Sequence, residues 1–179
     1  MKIKIKDILP LSEQEQLLNE SLSVLKEIQL STKNAAKIDG GIGKGTFTVG
    51  DTVYDYTVTD YPSNIILPGD KDNIRLEGTV CDLGFTEQGG GVDFASNLPK
   101  GGRANLIKIY STMYKVILTI AKAKAPNNIL LSSYDQSGYF PYYNNLTKTN
   151  NIPGYSRKAI IKWAHSGKSI TSIVLKKNN

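Results

Sequence analysis

Four groups of residues have the type and spacing for chemistry. Gly101 and Gly102 stand together between Lys100 and Arg103, with Ala104 next, at the entrance of a long apolar stretch. Bare backbone amides at such a place can approach an anion, and the positive end of a helix with two cations adds to the attraction. The same pair also serves simply as the turn that starts a helix, with Lys100 and Arg103 as solvated surface. Tyr143, in the run YYNNL, carries a phenol of ordinary pKa about 10 that can hand a proton to a departing thiolate. It also reads as an aromatic packing a short amphipathic helix, with Tyr142 in its place if that helix is turned by one residue. Glu87 and Asp135 follow predicted strands, where a carboxylate can take a proton from an attacking amine. Each also reads as a solvated loop acid.

Other candidates are weaker. His165, two residues before Gly167, reads as part of a surface turn, and Cys81 as a small core residue inside a strand. One cysteine excludes an intramolecular disulfide, and with one histidine there is no zinc set, so no metal is expected. There is no Ser–His–Asp pattern. The segment IDGGIGKGTF has four glycines in ten residues, but Lys44 lacks phosphate-loop spacing and the segment reads as a flexible connector. The formal charge is +6, from 22 basic and 16 acidic residues. Most of the lysines read as solvated surface. The last quarter, with Lys148, Arg157, Lys158, Lys162, Lys168, Lys176 and Lys177 among Tyr142, Tyr143, Tyr155 and Trp163, suggests an anionic ligand without specifying it. Nucleic acid is not expected, because the basic residues do not form one clustered face.

The elements that must hold these residues follow from periodicity. Leu106, Ile109, Tyr110, Met113, Ile117, Ile120 and Ala121 fall at steps of three and four, which predicts a helix over 103–124. Ile107, Tyr114, Val116 and Leu118 widen its stripe, so the helix should be covered on two sides. Pro126 follows it, and Ile129–Ser132 then reads as a central strand. Upstream, Met1 to Leu9 alternates like a strand. Ser12 with Glu15 forms a capping box for an amphipathic helix carrying Leu17, Leu18, Leu22, Leu25 and Ile28. Thr46 to Val58 reads as a hairpin turning at Gly50-Asp51. Tyr61 to Asp72 is a loop whose Ile65-Ile66-Leu67 must pack somewhere. Ile74–Leu76 and Val80–Phe85 read as two strands or one broken at Gly78, and Glu87–Lys100 as a long loop. Pro141–Lys148 is a short helix, and Arg157–Ala164 with Ser169–Lys176 a closing hairpin. At 179 residues, with 40% apolar and 21% charged content, the chain 1–179 reads as one globular domain. No apolar run approaches the roughly 20 residues that span a bilayer. MKIKIKDILPL lacks a signal-peptide core, so a cytoplasmic setting without membrane is expected.

From about Val80 to Leu175, this order of elements resembles the GNAT fold of N-acetyltransferases, an α+β fold with a mixed, mostly antiparallel sheet flanked by helices. The family's loop pattern is Q/R-x-x-G-x-G/A. Here Pro99-Lys100-Gly101-Gly102-Arg103-Ala104 keeps the glycine and the final alanine but not the leading Gln/Arg. G-G-x-A, the IYSTMYKVI helix, NILLSS, YYNNL and GY look more narrowly like GNAT-like proteins common in bacteriophages.

The resemblance implies acetyl-coenzyme A at Lys100–Ala104, Tyr143 as the acid for the thiolate, and an amine, small or on a protein, as acceptor. It equally implies a second possibility: a non-catalytic phage protein of this fold, in the host cytoplasm or the virion, acting as a virion component or binding a viral or host protein. If coenzyme A binds through this loop, Gly102→Val should abolish binding in calorimetric titration while the fold survives. Unchanged affinity would remove the loop from the site.

Overall fold

The computed structural model describes residues 32–69, 71–88, 102–135, 140–149 and 152–179. The strand expected over 1–9, the helix capped at Ser12, and Lys100 and Gly101 lie outside the described residues. After a short 3-10 turn at Thr32–Asn34 come β1 (Ile38–Gly40), β2 (Lys44–Val49), β3 (Thr52–Tyr61), β4 (Ile65–Leu67), β5 (Ile74–Leu76) and β6 (Val80–Glu87). Then follow α1 (Gly102–Ala123), β7 (Asn128–Tyr134), α2 (Phe140–Thr149), β8 (Tyr155–His165) and β9 (Lys168–Lys177). Seven strands make one sheet in the order β1-β2-β3-β6-β7-β9-β8, while β4 and β5 pair separately. Among the described residues only β6 and β7 run parallel; the other neighbours are antiparallel. The chain is α+β, with a mixed and mostly antiparallel sheet.

Parallel neighbours cannot be joined by a tight turn, so the chain must cross over between β6 and β7. It does so through α1. Every residue of the expected stripe, Leu106, Ile109, Tyr110, Met113, Ile117, Ile120 and Ala121, is buried, and Val116 with them. They pack on Cys81, Leu83 and Phe85 of β6, Ile129 and Leu131 of β7, and Ile173 and Leu175 of β9. Tyr114 and Leu118 are half-buried against the same cluster, so the wide stripe is used. Past the helix end at Ala123, Ala125 turns left-handed at φ 43°, before Pro126. Among the described residues no helix is long and apolar enough to cross a membrane.

Strand alternation divides the sheet into two faces. Tyr54, Tyr56, Leu83, Phe85 and Leu131 point toward α1, joined by Tyr143 and Leu146 of α2. Val80, Leu130, Val174, Ile170 and Trp163 point the other way, against Leu67 and Leu76 of the β4–β5 hairpin. Ile65–Leu67 is therefore a strand rather than loop, and Gly78 does break the chain between β5 and β6. Gly78 has φ 82°, and a Cβ there would lie 2.4 Å from Asn127 Oδ1.

The glycine-rich segment read as a flexible connector is instead the β1–β2 hairpin. Gly45 serves close packing: a Cβ there would come 2.5 Å from the Tyr56 hydroxyl, which donates to the Gly41 carbonyl at 2.8 Å. Spacing alone could not register that contact, because Tyr56 comes from the neighbouring strand.

Ile117 is fully buried at the centre of the α1 ridge. Ile117→Ala should cost about 2–5 kcal/mol in denaturant melts. A loss well under about 1 kcal/mol would mean that the ridge closes over the deletion.

Candidate functional site

β6 and β7 pair over only four residue couples, from Val80↔Asn128 to Leu83↔Leu131. Beyond these, β6 continues along β3 to Glu87 and β7 along β9 to Tyr134. The two strand ends part beyond Leu83↔Leu131. On the α1 face, Tyr143 of α2 fills the parting. It is fully buried, its ring 6.1 Å from that of Phe85, and its hydroxyl accepts the Phe85 N–H at 3.2 Å.

On the opposite face the parting opens into a cavity of about 370 Å³. Its walls include Gly84, Phe85 and Thr86 from β6 and Ser132, Ser133 and Tyr134 from β7. Asp82, Tyr61, Trp163, His165 and Ile170 complete the side that carries titratable and aromatic groups. His165 ends β8 and stands edge-on to Trp163, ring centroids 6.2 Å apart. Lys168, across the Ser166-Gly167 turn, holds its ammonium 5.5 Å from the Tyr134 ring centre, a cation–π contact.

Four strands each bring one polar group to a single row on this face. Trp163 Nε1 donates to Ser172 Oγ at 2.8 Å. Ser172 and Ser132 share a hydrogen bond of 2.6 Å, and Ser132 Oγ donates to Asp82 Oδ1. Burial pushes the Asp82 carboxyl above its ordinary value, against the opposing pull of the Ser132 hydrogen bond and of His165. Burial likewise raises the Tyr61 phenol, helped by the charge of Asp82. A half-buried acid with a raised pKa in an aromatic-walled cavity is the usual setting for proton transfer.

The residues singled out from the sequence fall differently. Gly102, Arg103 and Ala104 form the first turn of α1, which carries no acid, and Ala104 is exposed. Glu87 ends β6, paired with Tyr54, and Asp135 lies just past β7, accepting from Thr171 Oγ1 at 2.6 Å. Neither lines the cavity. His165, read as a surface turn, is exposed at the cavity rim. Tyr155 and Trp163, placed among the basic residues of the last quarter, are buried, with the Tyr155 hydroxyl on the Pro126 carbonyl at 2.7 Å.

Asp82, Ser132, Ser172 and Trp163 were not among the expected site residues. The available signal was the acid inside VCDLGF, since a charged residue in a central strand seldom lies there without a partner. No group of three or more His, Cys, Asp or Glu able to hold a metal occurs among the described residues. No family model, no curated protein and no solved structure matches this chain.

A raised carboxyl has a definite sign in stability. Between the ordinary value of 3.8 and the higher folded value, native Asp82 holds a proton that the unfolded chain has released. This group therefore favours folding fully only below the ordinary value, and the contribution is lost as pH rises through the folded value. Asp82→Asn, neutral throughout and still able to accept from Ser132, should be more stable than wild type at pH 7. The gain should shrink toward zero in melts below the ordinary value. A pH-independent difference would contradict this account.

Proposed function

We propose that the chain is a GNAT-like protein that transfers an acyl group from acetyl-coenzyme A to an amine where β6 and β7 part. The observation that carries the reading is this parting, which sets a phenol on one side of the gap and a half-buried carboxyl on the other. The order strand, helix, strand, short helix, hairpin over β6 to β9 supports the GNAT-like fold, with its one parallel pair bridged by α1. The first turn of α1, at the positive end of the helix and with no acid, fits an anionic phosphate group. We assign that role to Gly102, Arg103 and Ala104 together with Lys100 and Gly101.

When bound, the thioester supplies an activated acyl carbon and a thiolate leaving group. The residues of the chain handle the protons. The amine nitrogen forms its bond to the acyl carbon as the carbon–sulfur bond breaks. Asp82, rather than Glu87 or Asp135, takes the proton lost by nitrogen, because it alone of the three lines the cavity. Tyr143, its hydroxyl held at the parting by the Phe85 amide two residues past the last β6–β7 pair, protonates the sulfur.

A second reading has its own observation. Tyr143 is fully buried and already engaged with Phe85, which suits a GNAT-like protein without catalysis that binds a viral or host protein.

Thiol release from acetyl-coenzyme A with a panel of amines tests both. Tyr143→Phe should lower turnover about 10²–10⁴-fold. It also leaves the Phe85 amide without its acceptor, at about 1–3 kcal/mol, so the comparison belongs where both proteins are folded. Equal rates would remove Tyr143 from catalysis, and no release from either protein would favour the binding reading.

A further inference from the structure

We propose that Trp163 and Ser172 are positioning residues for Asp82, acting through Ser132 as a one-way hydrogen-bond relay that fixes one carboxylate oxygen and offers the other to the cavity. The direction follows from donor chemistry. An ionised carboxylate only accepts, so the single hydroxyl hydrogen of Ser132 is spent on Asp82 Oδ1. Ser172 must therefore donate to Ser132 across their 2.6 Å contact. Ser172 in turn accepts from the Trp163 indole at 2.8 Å, which can only donate.

If Asp82 were instead to donate to Ser132, the order would reverse. The hydrogen of Ser172, a fully buried side chain, would then be left without an acceptor in the row. That is costly away from water, so the indole at the far end keeps Oδ1 an acceptor from three hydrogen bonds away, and the row suits the ionised carboxylate, whose Oδ1 accepts more strongly than that of the neutral acid.

The relay is not a proton conduit. An indole N–H neither accepts nor releases a proton near neutrality, so the row ends at Trp163, and any proton that Asp82 takes must leave by the cavity. Among the described residues no hydrogen bond reaches Asp82 Oδ2, and Asp82 lines the cavity. The base is thereby presented through one oxygen in one orientation. The other titratable groups around the carboxyl are His165 of β8, Tyr61 of β3 and Tyr134 of β7. Lys168 of β9 stands at the rim over Tyr134. Calling Asp82 a base rests on the proposed transfer; the relay itself does not.

Titration of the Asp82 carboxyl carbon by NMR in the full-length protein, without substrate, tests it. Ser172→Ala, Ser132→Ala and Trp163→Phe should each move the midpoint upward. Ser132→Thr, which keeps the hydroxyl in a half-buried position, should return it to the wild-type value. The rise should persist with His165→Gln as background, which separates the relay from the field of the imidazole. An unmoved midpoint in folded Ser172→Ala would overturn the relay even if Trp163→Phe fails to fold. Where amine-dependent thiol release occurs, the acid limb of kcat/KM should move the same way. Absence of release from every variant would count against the transfer alone, because the titration still decides the relay.

Discussion

The arrangement depends on one constraint, the parallel pairing of β6 with β7. A parallel pair must be bridged by a crossover, and here the bridge is α1, whose apolar stripe lies across the sheet and buries Leu83, Phe85, Ile129 and Leu131. The pairing also stops after four couples, because β6 follows β3 and β7 follows β9 beyond it. A continuous ladder would have closed the sheet there. Its early end gives Tyr143 a gap to fill on one face and leaves a walled cavity on the other.

Much of this frame could be read from the residues. The α1 stripe is a strong periodic signal whose central positions, Leu106 to Ala121 at steps of three and four, are all buried, and the closing hairpin is announced by the turn residues Ser166-Gly167 between two apolar runs. What could not be read is anything set by partners distant in sequence. Gly45 is a glycine because the Tyr56 ring crosses it, and composition makes that look like a loop. Ile65–Leu67 finds its partner in Ile74–Leu76, through prolines and glycine that suggested only irregular chain.

The candidate site follows the same division. The places of Tyr143 in α2 and of Gly102 to Ala104 at the start of α1 were legible because both helices begin with recognisable local patterns. Asp82, Ser132, Ser172 and Trp163 come from four separate strands, one polar residue in each. No local pattern contains them, and they become a row only when register aligns Ser132 with Ser172. Glu87 and Asp135 look more suitable in sequence, being at strand ends, but strand ends splay and neither reaches the cavity.

Two aspartates on neighbouring strands show why the row matters. Asp60 on β3 and Asp82 on β6 stand one register position apart, Asp60 beside Cys81 and Thr59 beside Asp82. Asp60 points toward the α1 face, where the hydrogen bond from Lys124 holds its carboxyl below the ordinary value, against some desolvation. It accepts the Cys81 thiol as well, which burial and this hydrogen bond push up to about 12. Asp82 points to the other face, is paired with the Ser132 hydroxyl instead of an ammonium, and is shifted upward. A carboxylate neutralised by lysine is a weak base, whereas one that is desolvated and held by neutral donors stays ionisable yet receptive to a proton. Environments that drive two identical groups apart divide structural from chemical roles. By that criterion Asp60 ties the end of α1 to the sheet, and Asp82 is the group equipped to exchange a proton with a ligand.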